Sequence, residues 1–518
     1  MLGRVDPQGS LFEPEHLFGD LVTRGSFYDK LAACGHELIC DDDFAGLYAL
    51  NRGRPSTPPS IMMRGLLLAV KDDTSDRESA RRSRVDLDWK HALGVASDYP
   101  GIGATTFSLF RSRVVLHHAD QALFRKTVRK AVEKGLFPRK VLALIDSSPV
   151  LGAGAVQDTY ELVRSAICKV VDAAGEASLS KKLLRSLRRY LSGYKPKIDW
   201  QNPGARQLEL ARMVTAANSL LEAVEGRQDP KKAAELLAAL VAQDIETDPD
   251  TGQPRIRQGV AKDRIVSTTD PEMRHGRKSA SRRFDGHKLH VLEEESTEII
   301  LGVSIGAGNG ADGEQAAPMV EEIARDTGVE IAELVGDMAY GDGDTRAAVE
   351  TTGARMVAKV PPVVNGGLFP KTDFVIDPEA PSATCPAGYT TTDARPVRDH
   401  KGRPTKRLHF AIEVCGGCPL RARCVKGDGA RSITLSVHEA RMARARADEL
   451  KPSVQAKLHR RPVIERKIDH LQDLGLRKAR YRGRRKTLLQ ALLAATVANF
   501  SRLHLLGAFG ASEMAIAA

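Results

Sequence analysis

Aromatic side chains are scarce. Phe, Tyr and Trp make up 5% of the chain, with only two tryptophans. The 42% of hydrophobic residues must therefore build cores mostly from Leu, Val, Ile and Ala. Long apolar runs are missing too. The longest, near Leu488 to Val497, is interrupted by Gln490 and Thr496. It is too short and too polar for lipid, so no membrane contact is expected. Met1 to Ser10 lacks the apolar stretch of a secretory signal, and a cytoplasmic protein is expected. No internal repeat stands out. No glycine-rich loop carries a phosphate-binding Lys, and Gly306, Gly308 and Gly310 make no dinucleotide fingerprint. No nucleotide cofactor is expected. The chain has seven cysteines, which in that compartment point to thiols or metal ligands instead of disulfides.

What is present is length and positive charge. A chain of 518 residues exceeds one ordinary core and suggests about three domains. Lys and Arg number 77 against 66 Asp and Glu, a net charge of +11. That excess favours a polyanionic partner, usually a nucleic acid, although many basic proteins bind none.

The apolar pattern shifts along the chain. Residues 1–136 read as helical. Pro58 and Pro59 precede the apolar stretch from Ile61 to Val70, Ser75 caps a helix over Arg77 to Leu93, and Thr105 to His117 forms another. Lys140 to Asp146 is a short apolar run ending in an acid, which suits a buried strand. A helical insertion follows at about 155–245, strongly basic from Lys181 to Tyr190. Strands are expected at 286–292, 299–304, 331–337 and 355–360, with helices at 313–327 and 345–352. Residues 137–360 thus form the first part of a mixed α/β core. Residues 361–437 are rich in Pro, Gly and Cys. Residues 438–518 complete the core with helices that are very basic in their middle.

Two of the expected strands end in an aspartate, Asp146 and Asp337. Open α/β sheets place their sites at such ends, and a carboxylate there needs a partner or a cation. Either one alone reads equally well as a turn residue. A third acid, Glu465, borders a helical face formed by Ile464, Ile468 and Leu471, with Arg461 one turn earlier. Its plain reading is a surface glutamate paired with Arg461. Together the three carboxylates suit two hard cations, Mg²⁺ or Mn²⁺. Such a pair activates a water and stabilises a leaving 3′ oxygen in phosphodiester chemistry.

These residues carry a resemblance. The sequence resembles the DDE transposases of bacterial insertion sequences, in particular the eleven-eighty-two group. The similarity runs through Gly53 to Pro59, Asp76 to Glu78, Asp88 to Gly94 and Thr105 to Arg111. It continues in Asp146-Ser-Ser148, Ser267 to Arg274, Phe284 to His290, Gly308 to Asp312 and Gly336 to Gly341, then Arg461, Glu465 and Asn499 to Leu503. The resemblance implies a ribonuclease-H-like mixed-sheet core, DNA cleavage at insertion-sequence ends with strand transfer, and at least a homodimer on double-stranded DNA in the nucleoid. A Lys is expected seven residues after the glutamate, where Gln472 stands; Lys467 or Lys478 are the substitutes in view. An inactive DNA-binding remnant and a stand-alone metal-dependent nuclease are the competing readings.

Cys415-Gly-Gly-Cys418, with Cys424 and Cys385, suits a closed structural zinc site. His409 and His438 are spare ligands. A redox pair is the competitor, but it normally opens a helix after a strand, and loops are expected here. Arg477, Lys478, Arg480, Arg482, Arg484, Arg485 and Lys486 crowd one segment after Glu465. With Arg461 they are candidate contacts to DNA phosphates, the alternative being a solvated loop. Weaker candidates are Arg52, Arg54, Arg111 and Arg113, and, near the acids, Arg274, Arg277, Lys278 and His287.

Overall fold

The computed structural model describes residues 1–6, 10–49, 53–191, 198–279 and 281–510. Arg52 lies outside them.

The central sheet has six strands: β1 (Lys140–Leu151), β2 (Arg274–Arg277), β3 (Arg283–Glu294), β4 (Ile300–Ala307), β5 (Glu330–Val335) and β6 (Arg355–Val357). Their order is β4–β3–β1–β5–β6, with β2 pairing the first residues of β3 beside β4. β3 runs antiparallel to β1, while β1, β5 and β6 are parallel. The sheet is mixed, as the pattern of strands and helices predicts.

β1 differs from expectation in one respect that matters. It does not stop at Asp146 but continues to Leu151, because β3 accompanies it from Ala143↔Glu294 to Leu151↔Gly286. Its parallel pairing with β5 ends earlier, at Leu144↔Val335. Asp146 is therefore a mid-strand residue, placed where β1 leaves one neighbour and keeps the other.

Helix Arg484–Leu505 organises the rest. Its buried residues run almost continuously from Leu489 to Phe500, so it is covered on all sides, as an all-round apolar helix must be. The N-terminal helices, including Pro59–Lys71 and Ala119–Glu133, pack on it, and β4 packs on it as well. As a result the N-terminal helices, the sheet and the C-terminal helices share one hydrophobic core reaching from Phe27 to Ala508. Asn499, buried in this helix, donates to Thr127 Oγ1 at 2.9 Å and to the Ile300 carbonyl at 2.8 Å, and accepts from the Ile300 N–H at 2.9 Å. One amide thus links three elements.

The expected helix over 77–93 is two, Asp76–Val85 and Leu87–Leu93. Asp86 adopts an extended backbone between them and its carboxylate caps the second helix through the Trp89 N–H, the usual competition of Asp with helix continuation. Ser75 caps the first helix as predicted.

Both insertions have cores of their own. Helices Thr159–Ala174, Lys181–Leu191, Pro203–Ala223 and Lys231–Asp244 enclose one around Ile167, Leu187 and Leu220. The Cys-rich segment folds as two small three-stranded sheets over Phe374, Leu408 and Phe410. Asp344 fastens that segment to the main body through Lys401 at 2.7 Å, His438 at 2.8 Å and Arg403. No helix among the described residues is long and apolar enough to cross a membrane.

Asn499→Leu is expected to strand the Ile300 amide and carbonyl in the core and to cost about 2–4 kcal/mol of stability, read as a lowered thermal midpoint of the full chain. An unchanged midpoint would deny the amide its linking role.

Candidate active site

Where β1 and β5 part, the sheet opens a cleft of about 460 Å³. Extending the Leu144↔Val335 register by two residues brings Asp146 level with Asp337. Asp337 caps the short turn Met338–Tyr340 through the Ala339 N–H at 2.8 Å. Helix Pro462–Leu471 lies across β1 and β3 and brings Glu465 to the same cleft. The three acids predicted from sequence thus share one opening.

Burial pushes the Asp146 carboxyl up to about 6, and the charges of Asp337 and Glu465 push the same way, while the Ser147 N–H and Arg461 oppose them. Charges that raise a buried carboxyl in this way are ones a cation could relieve. Arg461 supplies part of the relief. It donates to Glu465 Oε1 at 3.2 Å, so the plain pairing expected from sequence is also present.

Several further residues support the acids. Arg346 is buried on helix Gly343–Thr351 and donates to the Gly341 carbonyl at 2.9 Å, to Met356 at 3.0 Å and to Ala358 at 2.6 Å. It ties the turn after Asp337 to β6. Asp312 lines the cleft, accepting from Lys288 Nζ at 2.9 Å and Ser147 Oγ at 3.0 Å. Asp469, one turn beyond Glu465, lines it too.

Gln472 faces the cleft and donates to Ser148 Oγ at 2.7 Å, fixing the helix end to β1. Neither substitute lysine stands with it. Lys467 is buried and turned toward Glu293 and Glu298. Lys478 lies beyond the far end of β1, bridging to Leu151. The cleft's own cations are Arg277, Lys278, Lys288 and Arg461. Of the other early candidates near the acids, His287 is fully buried against Asp270, and Arg274 is engaged by the Pro271 and Met273 carbonyls.

Two family models match the chain, Transposase DDE domain over residues 384–504 and Transposase domain (DUF772) over residues 16–113. Residues 384–504 are thus similar to the DDE domain of transposases, and residues 16–113 to a second transposase domain. The first match spans Arg461, Glu465, the four clustered cysteines and the basic segment, and the second spans Arg54, Arg111 and Arg113. Asp146 and Asp337 lie between the two, so their assignment rests on geometry. No curated protein and no solved structure matches the chain.

The basic segment is divided in its roles. Arg485 makes a two-pronged pair with the fully buried Asp120, both contacts at 2.7 Å. Arg480 pairs with Asp73 and donates to the Thr74 carbonyl. Arg484 pairs with Glu272 at 3.2 Å and Arg477 with Asp473 at 3.0 Å. Arg485 and Arg480 are therefore internal ties to the N-terminal helices. Lys478, Arg482 and Lys486 are exposed and show no ion pair among the described residues. Arg111 is likewise engaged, bidentate to Asp76 and stacked 4.8 Å over Tyr481. Arg113 lies 5.2 Å over Tyr48.

The four cysteines are free thiols. The Cys424 thiol is raised by burial and then by Cys415, Cys385 and Cys418, so the sulfurs are electrostatic neighbours. Cys415 lies in the last turn of a five-residue helix, Ile412–Gly416, where loops were expected. His438 is engaged by Asp344 and Arg441. Among the described residues, no group of three or more His, Cys, Asp or Glu is assembled in metal-holding geometry. This holds for the thiols and the acids alike.

Beneath helix Pro462–Leu471, Glu293 is fully buried and neither carboxyl oxygen has a hydrogen-bond partner among the described residues. Burial pushes it up to about 8 against the pull of Lys467. The folded protein thus holds a proton that the unfolded chain releases, and stability is lost as pH rises from the usual carboxylate range toward 8. Glu293→Gln is expected to flatten that loss, gaining roughly 1–3 kcal/mol over the parent at about pH 9. Denaturant unfolding at acidic and alkaline pH checks it; parallel curves for the two proteins would count against a buried protonated carboxyl.

Proposed function

We propose that this chain is the transposase of an insertion sequence, cutting DNA at the element's ends and joining the freed 3′ ends to target DNA. The observation that carries the reading is the meeting of Asp146, Asp337 and Glu465 in one cleft where β1 and β5 part. The strand order β4–β3–β1–β5–β6, with only β3 antiparallel to the other strands, supports a ribonuclease-H-like core.

Asp146, Asp337 and Glu465 would hold two divalent cations, Mg²⁺ or Mn²⁺. When bound, such a pair supplies an activated water and stabilises the leaving 3′ oxygen. Arg461, which donates to Glu465, would meet a phosphate at the cleft. Arg277 and Lys278, exposed at the rim, would guide the phosphate backbone into the cleft, with Lys478, Arg482 and Lys486 continuing the track. Double-stranded DNA is the substrate, and a homodimer would pair two ends. Lys288 and Arg346 are positioning residues, acting through Asp312 and the turn after Asp337. The thiols of Cys385, Cys415, Cys418 and Cys424 would hold one structural zinc ion.

The Gln472–Ser148 contact favours an inactive DNA-binding relative in one respect, since it places an uncharged amide where related chains carry a cation. Cleavage decides between the readings. Labelled DNA bearing the element's own end is expected to yield 3′-hydroxyl products with Mg²⁺ and none with chelator. Asp146→Asn is expected to abolish the products, retain DNA binding, and raise the stability of the metal-free protein by roughly 1–3 kcal/mol, because it removes a desolvated charge. Tight end binding without any cleavage by the parent chain would instead establish the inactive reading. Elemental analysis of the purified protein tests the thiols: about one zinc per chain, lost in Cys415→Ser/Cys418→Ser, is expected.

A further inference from the structure

Helix Lys181–Leu191 in the first insertion has an unusual charge distribution for a helix that needs only one buried face. Its sequence, Lys-Lys-Leu-Leu-Arg-Ser-Leu-Arg-Arg-Tyr-Leu, holds five cations and no acid. Leu183, Leu187 and Tyr190 point inward and complete the insertion's own core. Lys181, Lys182, Arg185, Arg188 and Arg189 are all exposed. Only Arg189 has an ion pair among the described residues, with the buried Glu209 at 2.7 Å.

Folding does not explain this face. The apolar side suffices to hold the helix down. Lys181 with Arg185, and Arg185 with Arg188 and Arg189, are like charges at three- and four-residue spacing, each pair costing about 0.2–0.5 kcal/mol. The face borders a groove of about 940 Å³ between this helix and Pro203–Ala223. Lys182, Ser186, Arg189, Arg212, Thr215 and Ser219 line it, with one acid, Glu222, on helix Pro203–Ala223. Cations interleaved with hydroxyls are the side chains that hold phosphate oxygens without reading sequence.

We propose that this helix and groove form a second binding surface for duplex DNA, separate from the acid cleft and contacting only the phosphate backbone. A helix of 11 residues spans about 16 Å, enough to follow several successive phosphates. The partner's identity as DNA rests on the transposase reading; the polyanion chemistry does not.

The test is binding of a labelled duplex of arbitrary sequence to the full chain across a salt series, with chelator present so that cutting does not enter. Lys182→Gln/Arg185→Gln/Arg188→Gln is expected to weaken binding about ten-fold or more near 0.1 M salt. It should also make the slope of log affinity against log salt shallower by roughly two to three, one per lost phosphate contact. Its thermal midpoint should be unchanged or higher, because like-charge repulsion is removed; a structural role would lower it. Arg185→Lys/Arg188→Lys should keep the parent's slope. An unchanged slope in the triple variant overturns the proposal. So does a loss confined to single-stranded RNA or to acidic protein. Neither result bears on cleavage by Asp146, which fails or stands on its own assay.

Discussion

The molecule depends on the burial of helix Arg484–Leu505. A helix apolar on every side cannot sit at a surface, and here it is enclosed by the N-terminal helices, by β4 and by helix Pro462–Leu471. The consequence reaches the acids. The Glu465 helix is held between this buried helix and the sheet, so the position of one carboxylate follows from apolar packing at its back. Asn499 adds direction to that packing, since its amide satisfies both polar groups of Ile300 and the Thr127 hydroxyl at once. N-terminal helices that share this core cannot move independently of the sheet without opening it, and Arg485 with Asp120 and Arg480 with Asp73 reinforce the same junction.

The second constraint is electrostatic. Asp146 is carried by a strand that β3 supports on one side only, and two further carboxylates raise its affinity for a proton. Such a cluster opposes folding in the absence of a cation. Local ties hold it in place. Arg346 gathers three carbonyls around the turn after Asp337, Gln472 fastens the Glu465 helix to Ser148, and Lys288 with Ser147 holds Asp312. The repulsion is the feature a divalent cation would relieve, and the ties keep it from being relieved by collapse.

Much of this arrangement was legible in the residues. The apolar runs before Asp146 and Asp337 marked neighbouring strands because buried parallel strands are apolar on both faces. The three-to-four spacing around Glu465 marked a helix with one face on the sheet. The end of β1 was not legible: Ser147, Ser148 and Pro149 look like a turn, and only the pairing with β3, more than a hundred residues away, keeps them extended. Arg346 gave no signal, since its three acceptors come from the turn after Asp337 and the segment around β6, brought together only by folding. The helix break at Asp86 shows local capping overriding a continuous periodic pattern. The roles of individual arginines in the 477–486 segment were equally hidden, because their acids, Asp73, Asp120 and Glu272, lie far upstream.

That division of arginines bears on how a basic chain meets DNA. Charge counted along a segment overstates what a phosphate can reach. Arg485 is held by a fully buried carboxylate and Arg480 by an exposed one, so removing Arg485 would leave Asp120 buried and uncompensated. Lys478, Arg482 and Lys486 alternate with these anchored residues and remain exposed. The anchored arginines fix the backbone from which the exposed cations project. A chain that binds DNA through loose basic tails alone has to order them on binding; here internal ion pairs hold Arg480 and Arg485 in place beforehand.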